Sequence, residues 1–365
     1  MQKLKTKSRI IIMISTAFLL LLLFIYGGNH KTELVTELEE KSISNKQWAL
    51  LNKAQMIEGV NGIENYDINA VSAWEISKGD SDIIVGVLDT GIDISNPMIS
   101  ESIFVNRYEI ANNDLDDDNN GFVDDVNGWD FYNNDNSVYD DYLGDYHGTF
   151  ITSLIVGAHK KSNEVWGIAP NVKILPLKFM RGSSGNLDDA IKALDYAYSL
   201  GVRIINCSWD NTTYDYNLYE VMRKYDDILF VCSSGNAGND LKKTPAYPCN
   251  FDLDNVLCVA AVDNKGEMYE FSGYGTSNLV AAPGKDVLGM LPEGDYLYSD
   301  GTSFATAYVT GIAALVKSTY KDISSEDLAK IIRTSQRSIY DNTNSKMENK
   351  IVDAKLAIEK VLNLD

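Results

Sequence analysis

Short apolar runs rich in Val and Ile recur along the chain: Ile83–Leu88, Val172–Leu177, Val202–Ile205, Ile228–Val231 and Val256–Val262. Each is continuous rather than alternating and is bounded by turn residues, the pattern of strands buried on both faces. Helical patterns lie between them. Asn186 is placed to cap a helix whose Leu187, Ile191, Leu194 and Tyr198 share one face, with Gly201 to end it. After Ser303 the chain is apolar and small (Ala305, Ala307, Gly311, Ala313, Ala314), as a tightly buried helix requires. Strands alternating with helices predict an α/β fold, a doubly wound and mainly parallel sheet with helices on both faces. Active groups of such a sheet lie beyond the carboxyl ends of its strands, and Asp89 directly follows the run Ile83–Leu88.

A different pattern stands ahead of these runs. Lys3, Lys5, Lys7 and Arg9 precede an apolar stretch from Ile10 to Tyr26, followed by Gly27, Gly28 and polar residues. A basic flank before an apolar run puts the N-terminus in the cytoplasm and the remainder outside. The run is short for a membrane span and slightly long for a cleaved signal core. No small-x-small cleavage site follows cleanly. An uncleaved single-pass anchor over residues 1–29 is therefore favoured over a cleaved signal peptide, which would leave the protein secreted. Residues 30–45 read as a short polar stem, and residues 46–365 as one large globular domain.

Composition narrows the class. With 52 acidic against 32 basic residues, the net charge of −20 argues against nucleic acid as a partner. A monomer is expected. Four cysteines fit an oxidising compartment. Cys249 and Cys258 bracket an eight-residue loop and are candidates for a disulfide, whereas Cys207 and Cys232 each end an apolar run and read as buried small hydrophobes.

Three segments carry candidate chemistry: V-G-V-L-D-T-G-I-D around Asp89, D-Y-H-G-T-F around His147 and G-T-S-F-A-T-A around Ser303. A serine hydroxyl becomes nucleophilic when an imidazole takes its proton and a carboxylate fixes the imidazole's tautomer. Of the three histidines, His30 borders the apolar N-terminal stretch and His159 sits in the lysine-flanked G-A-H-K-K, which leaves His147. Taken singly, D-T-G makes a turn and G-T-S caps a helix. Together they place three polar groups at the edges of apolar elements, with Ser303 at a helix start that favours developing negative charge. No G-x-S-x-G elbow surrounds Ser303, which disfavours a lipase or esterase.

From about Gln47 to the C-terminus the chain resembles the subtilisin-like serine peptidases (subtilases). The resemblance rests on those three segments in the order Asp, His, Ser. It extends to G-I-A-P from Gly167, the L-P-L-K run, S-S-G-N-A-G around Asn236, F-S-G-Y-G from Phe271 and V-A-A-P-G ending at Gly284. It implies that Ser303 attacks the peptide carbonyl, His147 moves the proton and Asp89 orients the imidazole. Asn236 and the Ser303 N–H would then hold the oxyanion. It further implies an extended substrate between Ser184, Gly185 and Asn186 on one side and Ser208, Trp209 and Asp210 on the other. Ser234, Gly235 and Ala246 would line the primary specificity pocket. The chain departs from the family pattern at Ala307, Phe150, Ser153, Trp209 and Asp210, none of which is a triad member; Asp210 would put a carboxylate beside the bound peptide and favour a basic residue, the alternative being a solvated side chain. Only residues 30–45 separate the apolar run from the enzyme, so no long inhibitory propeptide is expected.

An acidic insert at about 112–130 lies between Asp89 and His147. Asp114, Asp116, Asp118, Asn120 and Asp125 follow the spacing of a calcium loop, with Asn119 at the sixth position in place of glycine. Similar inserts in subtilases bind calcium, and structural Ca2+ is expected here. The expectation is an exported, membrane-anchored serine endopeptidase acting through an acyl-enzyme. The alternatives are a dedicated leader- or precursor-peptide processing protease and a catalytically silent peptide-binding module.

Overall fold

The computed structural model describes residue 43 and residues 45–158, 165–338 and 350–364. The predicted anchor, all of the stem but Ile43 and Asn45, His30 and His159 lie outside the described residues. Among the described residues no helix is long and apolar enough to cross a membrane. The domain described below is the compact unit Ser44–Asp365.

Its centre is a seven-stranded sheet of β1 (Ile84–Asp89), β2 (Trp129–Asp130), β3 (Lys173–Lys178), β4 (Ile204–Cys207), β5 (Leu229–Ser233), β6 (Val256–Val262) and β7 (Leu279–Pro283). The spatial order is β7-β6-β5-β4-β1-β3-β2 and every pairing is parallel. The five apolar runs fall on β1, β3, β4, β5 and β6; Val256–Val262 is matched residue for residue, and the other four strands begin and end one or two residues later than their runs. Asp89, Cys207 and Ser233 close strands that the apolar pattern alone ended one or two residues earlier. A short antiparallel hairpin, β8 (Val287–Met290) and β9 (Tyr296–Ser299), follows β7 and delivers the chain to Gly301.

Six helices of nine residues or more lie among the described residues: α1 (Tyr142–Val156), α2 (Leu187–Ser199), α3 (Tyr216–Lys224), α4 (Thr302–Thr319), α5 (Ser325–Thr334) and α6 (Ala354–Leu362). Asn186 caps α2 as its type predicts, its side chain accepting from the Asp188 N–H. The buried face of α2 is largely small (Ala190, Ala193, Ala197, with Leu194 and Tyr196), while Leu187, Ile191 and Tyr198 pack at its margin. Small residues let the helix axis approach the sheet closely, which pattern reading by large apolar residues does not capture.

The two faces of the sheet follow from strand alternation. Phe230, Cys232, Ile205 and Cys207 point into one core shared with α2 and α3. Asn206 points the other way, where its side-chain oxygen accepts from Thr310 of α4. Every residue of α4 from Thr302 to Val316 is buried, consistent with its small composition. β1 lies between β3 and β4, where the order in which strands are added reverses, so the ends of β1 and β4 border the crevice typical of such sheets.

Candidate active site

Asp89 is the last residue of β1 and is completely buried. Its Oδ1 accepts from the Thr90 N–H at 2.7 Å and lies 2.7 Å from His147 Nδ1. A carboxylate only accepts, so Nδ1 carries the hydrogen and Nε2 is the free base. Asp89 Oδ2 is buried without a hydrogen-bond partner among the described residues, which leaves the imidazole as the group best placed to answer the charge. Burial lowers the His147 pKa, but the charge and hydrogen bond of Asp89 more than offset this, and the net shift is upward.

His147 reaches Asp89 because two glycines let α1 press on the end of β1. A Cβ on Gly148 would lie 2.6 Å from the carbonyl oxygens of Thr90 and Gly91, and one on Gly91 would meet the Asp145 carboxyl and the Val138 carbonyl at 2.6 Å. The glycines of D-T-G and H-G-T are therefore packing requirements. Thr90 adds a latch, its hydroxyl accepting from the Gly148 N–H at 2.9 Å.

Behind this contact lies a cluster that motif reading passed over. Lys178, the last residue of β3, sits beside Asp89 in the sheet and is fully buried. Its ammonium lies 3.1 Å from Asp130 and 3.1 Å from Asp145, with Asp140 as a third partner. Burial lowers its pKa, yet Asp140, Asp145 and Asp130 together raise it, so the charged form is retained. Asp145 Oδ1 in turn accepts from the Gly91 N–H at 3.0 Å. The ammonium thus ties β2, β3, α1 and the Thr90–Gly91 turn together. A lysine inside the otherwise apolar L-P-L-K was the available signal.

Ser303 is the second residue of α4, whose N-terminal end faces the site. Its hydroxyl donates to the Ser208 carbonyl at 2.9 Å, and the Ser208 hydroxyl donates to the Ser303 carbonyl at 2.9 Å. No hydrogen bond joins Ser303 to His147 among the described residues; the phenyl ring of Phe304 lies 6.0 Å from the imidazole, centroid to centroid. Asn236 Oδ1 accepts from the Thr302 N–H at 2.9 Å and the Thr302 hydroxyl at 3.1 Å. A backbone N–H can only donate, so the amide orientation is determined and the exposed Asn236 retains Nδ2 as a donor beside the helix start.

Of the two expected peptide edges, the one at Ser208 hydrogen-bonds Ser303 in both directions. Ser184 and Gly185 pair with Met180 and Arg181 in an exposed antiparallel turn, and Asn186 follows as the α2 cap. Ser208 and Trp209 are buried and Asp210 is exposed. Ser234, Gly235 and Ala246 are buried nearby.

The acidic insert differs in part from the expected ligand set. Oxygens of Asp118, Asp125 and Glu109 lie within 4.8 Å of one another. Asp114 is not in this group: it is exposed, with a left-handed backbone and its N–H donating to Asp124. Asp116 accepts from the Asn120 and Gly121 N–H groups of its own turn. Asn120 donates to Asp118 and Asp125, and Asn119 takes the left-handed geometry of the sixth position with φ 59°. Glu109 lies upstream of the insert, where spacing did not point. No Lys or Arg pairs with Glu109, Asp118 or Asp125 among the described residues, so three hard oxygen donors converge without a protein counter-charge, which fits a divalent cation such as Ca2+. Cys249 and Cys258 are joined in a disulfide, and Cys207 and Cys232 are free and buried.

In a parallel doubly wound sheet, then, Asp89 ends the first strand, His147 of α1 contacts it and Ser303 opens a buried helix. Comparison with known proteins names the family. The Subtilase family model matches residues 80–355, and the chain belongs to that family. It is 32% identical over 251 residues to a thermophilic serine proteinase of Bacillus sp. (strain AK1), covering 67% of this chain and 55% of that protein. It is 30% identical over 300 residues to subtilisin-like protease 2 of Plasmodium falciparum (isolate 3D7), covering 75% of this chain and 21% of that one. The chain thus spans about half or less of the length of these two relatives. The solved structure of the prenylagaramide maturation protease PagA superposes with a TM-score of 0.62 at 25% identity, covering 80% of this chain and 98% of that one.

Proposed function

We propose that the protein is a serine endopeptidase in which Ser303 is acylated by the substrate carbonyl, His147 acts as base and then acid, and Asp89 holds the imidazole. The observation that carries this is the 2.7 Å contact from Asp89 to His147 Nδ1, which leaves Nε2 as the acceptor. Rotation of the Ser303 side chain away from the Ser208 carbonyl frees its hydroxyl for that acceptor. Asn236 Nδ2 and the Ser303 N–H stabilise the oxyanion. The extended peptide lies between residues 184–186 and 208–210.

The basic flank and apolar run at the N-terminus support export with a retained single-pass anchor, and the Cys249–Cys258 disulfide accords with an oxidising compartment. The site at Glu109, Asp118 and Asp125 is proposed to hold Ca2+, whose role is to neutralise the insert and fix the loop before β2. The likeness to a maturation protease over nearly all of that protein's length supports trimming of a precursor peptide as the physiological task.

A silent peptide-binding module is the second reading, and the Ser303–Ser208 hydrogen bond is the observation that favours it. Incubating the full chain with a peptide library, with products read by mass spectrometry, separates the two. Cleavage that disappears in Ser303→Ala supports the peptidase, and peptide binding without cleavage supports the module.

A further inference from the structure

The segment that follows β4 ends in a carboxylate that lies across from the segment following β5. A Cβ on Gly235 would stand 3.2 Å from Asp210 Oδ2 and 3.4 Å from Oδ1, so the carboxylate rests against the Gly235 backbone, one residue before Asn236. Gly235 has φ +81°, a conformation in which a side chain is strained, and its bare backbone leaves this space to Asp210. Asn211 and Tyr247 exchange two backbone hydrogen bonds of 2.8 Å, which fasten Asp210 next to Ala246. Trp209, buried with its ring 5.1 Å from that of Phe179, anchors the segment from the other side. Asp210 therefore sits where residues 208–211, 234–236 and 246–247 meet, and the neighbouring Ser234, Gly235 and Ala246 are small.

Elsewhere on the domain Asp240 pairs with Lys243 and Asp141 with Arg181. Asp210 makes no hydrogen bond and no ion pair among the described residues. Although Asp210 keeps an exposed face, the surrounding protein crowds it enough to raise its pKa, with no cation among the described residues to offset this. A partly desolvated group that only accepts gains most from a charged donor, and a guanidinium meets a carboxylate with two parallel bonds. No cation among the described residues supplies that donor, but a bound peptide can.

We propose that Asp210 determines specificity by receiving the lysine or arginine side chain that immediately precedes the scissile bond. This rests on the peptidase reading and extends it to the class of residue cleaved. Peptides that differ only at that residue (Lys, Arg, norleucine, Glu) test it with the full chain. The wild type is expected to cleave the Lys and Arg peptides with kcat/KM about 10- to 100-fold above norleucine, the span of a hydrogen bond to a charged group. Asp210→Asn should collapse that ratio, Asp210→Glu should retain a basic preference, and Asp210→Lys should shift preference toward Glu. Reaction of each variant with a fluorophosphonate shows that its site is assembled; for a variant that does not react, the wild-type profile alone decides. A wild type that reacts with the probe but cleaves Lys and norleucine within about threefold of each other overturns this proposal and leaves the peptidase reading standing. A wild type that does not react overturns both.

Discussion

Replacing Lys178 by methionine isolates the contribution of the buried charge behind the Asp–His pair. Methionine keeps most of the apolar stem and removes the ammonium. Asp130 and Asp145, both fully buried, then lose the cation 3.1 Å from each. Breaking a buried ion pair by removing one partner costs about 3–5 kcal/mol, because the remaining charge stays desolvated and unanswered. At about 2.1 cal/mol/K of unfolding entropy per residue, a unit the size of Ser44–Asp365 loses about 1.5 °C per kcal/mol, so the midpoint should fall by about 4–7 °C. Differential scanning calorimetry at one scan rate reads this directly. Arg181→Met is the control: it breaks an exposed pair with Asp141 and should leave the midpoint nearly unchanged. A Lys178→Met midpoint within about 1 °C of wild type, or a drop of equal size in both variants, would refute the assignment of the cluster as a structural brace.

Three further outcomes are expected. The His147 pKa is raised above its ordinary 6.5 and catalysis needs the neutral ring, so kcat/KM should climb with pH along a limb lying above that value. Asp89→Asn should move the limb to lower pH; a wild-type limb at or below 6.5 contradicts the pairing. Asn236→Ala should lower kcat by about 10²–10³ with KM little changed, the effect such a donor has in subtilisin, and an unchanged kcat removes Asn236 from the oxyanion site. Chelation should lower the melting midpoint, Ca2+ should restore it, and Asp118→Asn should abolish the response; a midpoint indifferent to chelator in the wild type removes the calcium proposal.

What was legible in the chain, and what was not, divides along physical lines. Strands of a doubly covered parallel sheet are apolar on both sides, so β1, β3, β4, β5 and β6 announce themselves as runs. Trp129–Asp130 is too short for any period to register, although it carries one of the Lys178 partners. The segments holding Asp89, His147 and Ser303 were visible because each requires a fixed local geometry: a glycine for close approach, a turn or a helix start. Glu109 was not, because it joins Asp118 and Asp125 by folding of the loop rather than by spacing. The same holds for Lys178, whose three acidic partners come from β2, the loop before α1 and α1 itself. Asp210 was visible as an odd residue at an edge position; its contact with Gly235 and its lack of a partner among the described residues emerge only in three dimensions.

The proposed peptidase chemistry requires Ser303 to be an activated nucleophile. Treating the full chain with a fluorophosphonate and mapping the adduct by peptide mass spectrometry tests this without any knowledge of the substrate. Stoichiometric modification of Ser303, strongly slowed in His147→Ala and absent in Ser303→Ala, is the predicted result. An unmodified Ser303 in the wild type, or labelling at the same rate without His147, contradicts it.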